Sequence, residues 1–186
     1  RDLRMSMQSL CTDDGMKEVI ETYSDMIYRI AVAHMRTKED AEDIYQEVFL
    51  IYLQKQQAFR EEEHRKAWLI RTTLICCKRA LLSSWKKRNI LTEDVAEVFS
   101  GTGKEKEPIT SFELKEENEV YTAVRSLPQK YRTVIYLFYF EQQSVKEISD
   151  ILKIRPGTVR MQLTRGREMM KELLVDCDGK GGSRRG

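Results

Sequence analysis

Of 186 residues, only two are histidine, three proline, four cysteine and nine glycine. Each scarcity excludes something. His34 and His64 lie far from Cys11, Cys76, Cys77 and Cys177, and no CxxC pair is present, so no metal site is expected. Adjacent Cys76 and Cys77 are poorly placed to bridge to each other. All four cysteines are read as reduced, partly buried thiols, with redox sensing as the alternative. The glycines form no phosphate-binding loop, and no nucleophile pairs with a base, so neither catalysis nor a cofactor is expected. No apolar run approaches the roughly 18 residues of a spanning helix, and no signal-peptide pattern opens the chain. A cytoplasmic protein is the expectation. Arg1 stands first, with Met5 or Met7 as the candidate native start, and that stretch is left out of the fold reading.

What the chain has in quantity is charge. Charged residues make up 33% and hydrophobic residues 41%, with a formal net charge of only +2. The balance is uninformative; its distribution is not. Between His64 and Thr92 stand eight Lys/Arg residues and no acid, while Glu93 to Glu119 holds nine acids against three lysines. Charge sorted by segment marks surfaces that meet partners.

Apolar spacing is helical throughout. Met16, Val19, Ile20, Tyr23, Ile27, Ile30, Ala31 and His34 form one stripe, and Ala41, Ile44, Tyr45, Val48, Ile51 and Tyr52 form a second. The short polar stretch between them predicts an antiparallel hairpin. A third helix runs from near Glu63 through Trp68, Leu69, Thr72, Ile75, Cys76 and Leu82 to about Lys87. Together these predict a first domain over 12–88. From 89 to 117 the periodicity fades into an acidic flexible linker with Gly101, Gly103 and Pro108, in which a helix near 92–99 is weakly supported.

A second domain is expected over 118–176, followed by a disordered tail at 177–186. Ser126-Leu127-Pro128 ends one helix and opens the next. That next helix is rich in aromatics (Tyr131, Tyr136, Phe138, Tyr139, Phe140), most of them read as core. Ser144 to Glu147 spells a capping box. An eight-residue helix, a turn at Lys153 to Arg155 and a longer helix opened by Pro156 have the proportions of a helix-turn-helix. The fold class is thus all-α: two small helical domains on a tether, the second carrying a helix-turn-helix.

Three surfaces carry chemistry. Val159, Leu163 and Met170 point inward, which leaves Thr158, Arg160, Met161, Gln162, Thr164, Arg165 and Arg167 as the expected DNA-facing set. Arginine and glutamine can pair with base edges and threonine can meet a thymine methyl. Arg155 adds positive charge at the electropositive helix start. On the third helix, Arg71, Lys78, Arg79, Lys86, Lys87 and Arg88 alternate with Trp68 and Trp85, a pattern suited to unstacked single strands. Trp68 is read as core, whereas Trp85 is equally well core or a base platform. On the second helix, Asp40, Glu42, Asp43, Gln46 and Glu47 adjoin Phe49, Leu50 and Leu53, which are expected to face outward as a docking surface for a basic protein.

The motifs then fall into a known order. Asp40-Ala-Glu-Asp-Ile-Tyr-Gln-Glu-Val-Phe-Leu50 resembles the region-two signature of bacterial sigma factors, and Ala67-Trp-Leu-Ile-Arg71 resembles the start of their promoter-melting segment. Ser144 to Leu152, Gly157-Thr-Val-Arg160 and Leu163-Thr-Arg-Gly-Arg-Glu168 resemble region four. The chain is similar to the small extracytoplasmic-function (ECF) sigma factors over nearly its whole length. The resemblance implies an alternative sigma factor that binds core RNA polymerase at clamp and flap, recognises two promoter elements and directs initiation. It further implies strand melting by Arg71, Ile75, Lys78, Arg79, Trp85, Lys86 and Lys87, with silencing by an anti-sigma factor. Relatives often carry Asn at Ile75 and Asp at Arg79, and usually a capping Ser at Arg155. Losing that cap costs about 1 kcal/mol of helix stability. A stand-alone duplex-binding regulator leaves the first domain unexplained; a polymerase-binding adaptor that does not initiate is the other rival, favoured by Ile75.

Overall fold

The computed structural model describes residues 13–55, 59, 61–82 and 119–180, and all their regular structure is helical. The chain divides between residues 93 and 94 into two compact units.

The first unit is built from α1 (Asp13–His34), α2 (Lys38–Lys55) and α3 (Glu62–Leu81), each packed on the other two. Thr37 starts α2: its hydroxyl accepts from the Asp40 amide at 3.1 Å, satisfying a donor that the helix itself leaves open. Ile27, Ile30 and Ala31 of α1, Ile44 and Val48 of α2, and Leu69, Ile70 and Leu74 of α3 are buried together. His34 closes the α1 stripe, fully buried, with Nδ1 2.8 Å from the Ile30 carbonyl. Ile20 departs from the expected stripe and is exposed, because it sits at the edge of the apolar arc. Trp68, read as core, is half-buried and packs with Tyr52 and Phe59 at centroid distances of 6.0 and 5.6 Å. The described part of α3 stops at Leu81; Trp85, Lys86, Lys87 and Arg88, the expected linker and its weak helix lie outside the described residues.

The second unit comprises α4 (Glu119–Ser126), α5 (Gln129–Tyr139), α6 (Val145–Leu152) and α7 (Pro156–Lys180), and α7 packs on all three others. Arg132 is buried and donates twice to the Leu127 carbonyl, at 2.8 and 3.2 Å, which fastens the α4–α5 turn. The capping box forms as spelled: Ser144 Oγ accepts from the Glu147 amide at 3.2 Å, and the Glu147 carboxylate accepts from the Ser144 amide at 2.7 Å. Lys153 takes a left-handed conformation, φ 57°, that ends α6 and turns the chain toward α7. A Cβ on Gly166 would fall 2.8 Å from Ile135 Cγ1, so α5 and α7 approach more closely there than any other residue allows.

Two expectations change here. α7 runs on to Lys180, past the boundary at 176; no proline interrupts it, and the first glycine after Gly166 is Gly179. Of the α5 aromatics, Tyr131 and Tyr136 are core and Phe138 is half-buried. Tyr139 and Phe140 are exposed, because α5 ends at Tyr139 and the chain leaves the core there. No helix among the described residues is long and apolar enough to cross a membrane.

Candidate nucleic-acid interface

The outward arc of α7 exposes Arg160, Met161, Thr164, Arg165 and Arg167, with Thr158 half-buried and Arg155 exposed just before the helix. Arg155 marks the helix start through its backbone, its carbonyl accepting from Thr158 and Val159 at 2.9 and 3.1 Å. The cations and methyl groups therefore share one solvent-facing surface at an electropositive helix end.

Gln162 does not belong to that surface. It is 1% exposed, and with Val159, Leu163 and Gly166 it completes an i, i+3, i+4, i+7 set that faces the core. Arg167 is exposed but committed at one edge of the arc. Its Nε donates to the Tyr139 hydroxyl at 2.8 Å, and its guanidinium lies 5.7 Å from the centroids of Phe138 and Tyr139.

Beyond Arg167 opens an apolar groove of about 470 Å³. Its walls come from Val120 and Val124 of α4, Ile135 and Phe140 at α5, and Met170 and Leu174 of α7, with Lys171 also lining it. Sequence reading missed this groove. Its apolar residues come from three helices, and no single stripe announces it.

In the first unit, α2 turns Glu42, Asp43, Gln46, Leu50 and Leu53 to solvent on one face, with Asp40 exposed near its start. Glu42 is lightly held by Lys38 at 3.5 Å, an exposed pair that contributes little. Phe49, expected on the outer face, is buried: its ring meets Tyr45 edge-on at 5.0 Å, because one step around the helix carries it to the border of the core arc. Glu47 also turns away from that face, toward α3, where Arg79 Nη1 donates to its Oε1 at 3.3 Å. Arg71, Ile75 and Lys78 are half-buried on α3.

Cys76 and Cys77 are buried, and neither is in a disulfide. Burial first, then the Glu47 carboxylate beside it, pushes the Cys76 thiol up to about 12, partly opposed by Arg79. Tyr23 is raised as well, by burial and by its hydrogen bond to Glu62. Among the described residues, no cluster of three or more His, Cys, Asp or Glu side chains is arranged to hold a metal.

Two compact helical units, the second with the helix-turn-helix arrangement and a cationic outer helix, define an all-α, two-unit protein of the helix-turn-helix class. Residues 19–88 match the model of sigma-70 region 2, and residues 117–170 match that of sigma-70 region 4. The chain is 30% identical to the ECF RNA polymerase sigma factor SigW of Bacillus subtilis over 173 residues, covering 88% of this chain and 90% of that one. It is 28% identical to SigV of the same organism, covering 86% and 90%. In fold it is similar to the sigma factor RpoE of Bartonella quintana, solved in complex with the anti-sigma factor NepR (TM-score 0.61, 21% identity, covering 87% of this chain and 98% of that one). It is also similar to CnrH, solved in complex with the cytosolic domain of CnrY (TM-score 0.62, 15% identity, covering 93% and 94%). This chain belongs to the ECF family of RNA polymerase sigma factors, non-catalytic transcription factors that act on RNA polymerase.

Proposed function

We propose that the chain directs initiation in the cytoplasm by bringing core RNA polymerase to promoters read at two elements. The outer face of α2 docks on the polymerase clamp. Leu50 at its centre, with Asp40, Glu42, Asp43 and Gln46 around it, suits a partner with a basic surface. Arg71 and Lys78, continued by Trp85, Lys86 and Lys87, hold the separated non-template strand of the proximal element, with Ile75 among them.

The outer arc of α7 enters the major groove of the distal element. Arg160 and Arg165 pair with guanine edges or phosphates, while Thr158, Met161 and Thr164 offer apolar contact to thymine methyls. Arg155 and the helix start take a phosphate. The apolar groove beside Arg167, with Lys171 among its lining, receives the polymerase flap. An anti-sigma factor, as NepR is to the similar RpoE, covers these surfaces in the silent state.

The observation that carries this reading is the cationic, solvent-facing arc of α7 within the segment matched to region 4, in a chain whose α2–α3 segment matches region 2. The test is transcription from a genomic promoter library by core polymerase with and without the chain, beside duplex binding by the chain alone. Transcripts that need both components, with two shared elements upstream of their start sites, are expected. Core binding without transcripts would favour an adaptor and point at Ile75. Tight duplex binding with no effect on polymerase would leave a stand-alone regulator.

A further inference from the structure

The Glu47 carboxylate joins the docking helix to the strand-facing helix by charge. Two groups one turn apart on α3 converge on it: the Arg79 guanidinium, at 3.3 Å, and the thiol of buried Cys76. The Arg79 and Glu47 side chains are only 29% and 40% exposed, and Arg79 Nε is buried without a hydrogen-bond partner. Arg79 is therefore drawn into the α2–α3 seam. Its Nη1 is engaged by a carboxylate, which makes it a weaker phosphate ligand than a cation that reaches freely into solvent.

We propose that Arg79 is a positioning residue. It acts through Glu47 to hold the strand-facing surface of α3 at a fixed setting against the polymerase-facing surface of α2, and it does not touch the promoter strand. Position 79 then serves promoter opening by geometry, and neighbours such as Lys78 supply the attraction. The inference rests on the reading that the first unit captures a melted strand.

Holoenzyme assembled with the full chain is titrated with a labelled single-stranded oligonucleotide. The probe carries the non-template strand of a promoter recovered in the transcription experiment, and the salt concentration is varied. Arg79→Met and Glu47→Gln each weaken strand binding by about three- to tenfold, and the double variant is no weaker than either alone, as expected for residues acting as one unit. The swap Glu47→Arg with Arg79→Glu recovers part of the loss, and Arg79→Lys recovers most of it. The dependence of log affinity on log salt keeps its wild-type slope in all of them.

A direct DNA contact predicts otherwise. Glu47→Gln would leave binding unchanged or tighter, and Arg79→Met would lower the slope by about 0.7, the share of one phosphate contact on a single strand. Either result overturns the proposal. So does a lower melting temperature with strand and core affinities unchanged, which would reduce the pair to structural glue; if Arg79→Met does not fold, Arg79→Lys and the swap decide alone. Failure of the wild-type holoenzyme to bind the strand at all would instead count against the reading of the first unit.

Discussion

A thiol held neutral in the first unit makes that unit sensitive to alkali. Cys76 keeps its proton up to about 12 when folded, against 9.0 for an ordinary thiol, so the unfolded chain releases that proton first as pH rises. The stabilisation is complete below pH 9 and is lost between there and about 12. Tyr23 and Tyr52, both raised by burial, act in the same direction. The urea midpoint followed by tryptophan emission should hold from neutral pH to about 9 and fall beyond it, with a shallower fall in Cys76→Ala. A flat midpoint into the alkaline range would contradict this account. At the proposed DNA-facing surface, Arg165→Ala should weaken duplex binding across sequences and lower the salt slope by about 0.9, the share of one phosphate contact. Gln162→Ala should instead lower the stability of the second unit, visible in thermal melts, and leave that slope alone. Residue 162 was legible in the sequence all along. Its spacing from Val159, Leu163 and Gly166 places it inward, and the helical period outweighs glutamine's fitness for pairing with a base edge.

Helix boundaries in the second unit rest on a few local devices, each open to test. Ser144→Ala removes the capping box at α6 and should cost about 1 kcal/mol. Lys153→Gly relieves a left-handed side-chain residue and should raise the melting temperature slightly. Gly166→Val drives a branched side chain into Ile135 and should cost at least about 1–3 kcal/mol, measured by loss of helical circular dichroism on heating. The capping box, the turn at Lys153 to Arg155 and Pro156 could all be read from residue type, because local hydrogen bonding and φ preferences decide them. Phe49 and Ile20 could not. Each lies at the border of an apolar arc, where a small rotation of the helix, invisible to periodicity, decides between core and solvent. The groove was hidden for a related reason: Val120, Phe140 and Leu174 are unremarkable on their own helices and meet only through tertiary packing.

Each unit carries its own buried core; Trp68 packs in the first, and both tryptophans precede residue 94 in the sequence. Gly166→Val should therefore lower the helical melting transition while leaving the tryptophan-reported transition in place. Movement of both together would show that the two cores unfold as one. The two-part plan was readable because charge changes sign along the chain at the same place where apolar periodicity lapses.

The burial of Gln162 has a consequence for how such a protein changes over generations. On α7, positions 159, 162, 163 and 166 answer to the fold, while on the proposed reading the outward 158, 160, 161, 164 and 165 answer to the promoter. Drift in promoter preference then has a small alphabet of sites that can vary without a folding penalty. A duplicated copy of the gene could acquire a new set of targets through substitutions on one arc of one helix, leaving every core contact of the ancestor intact.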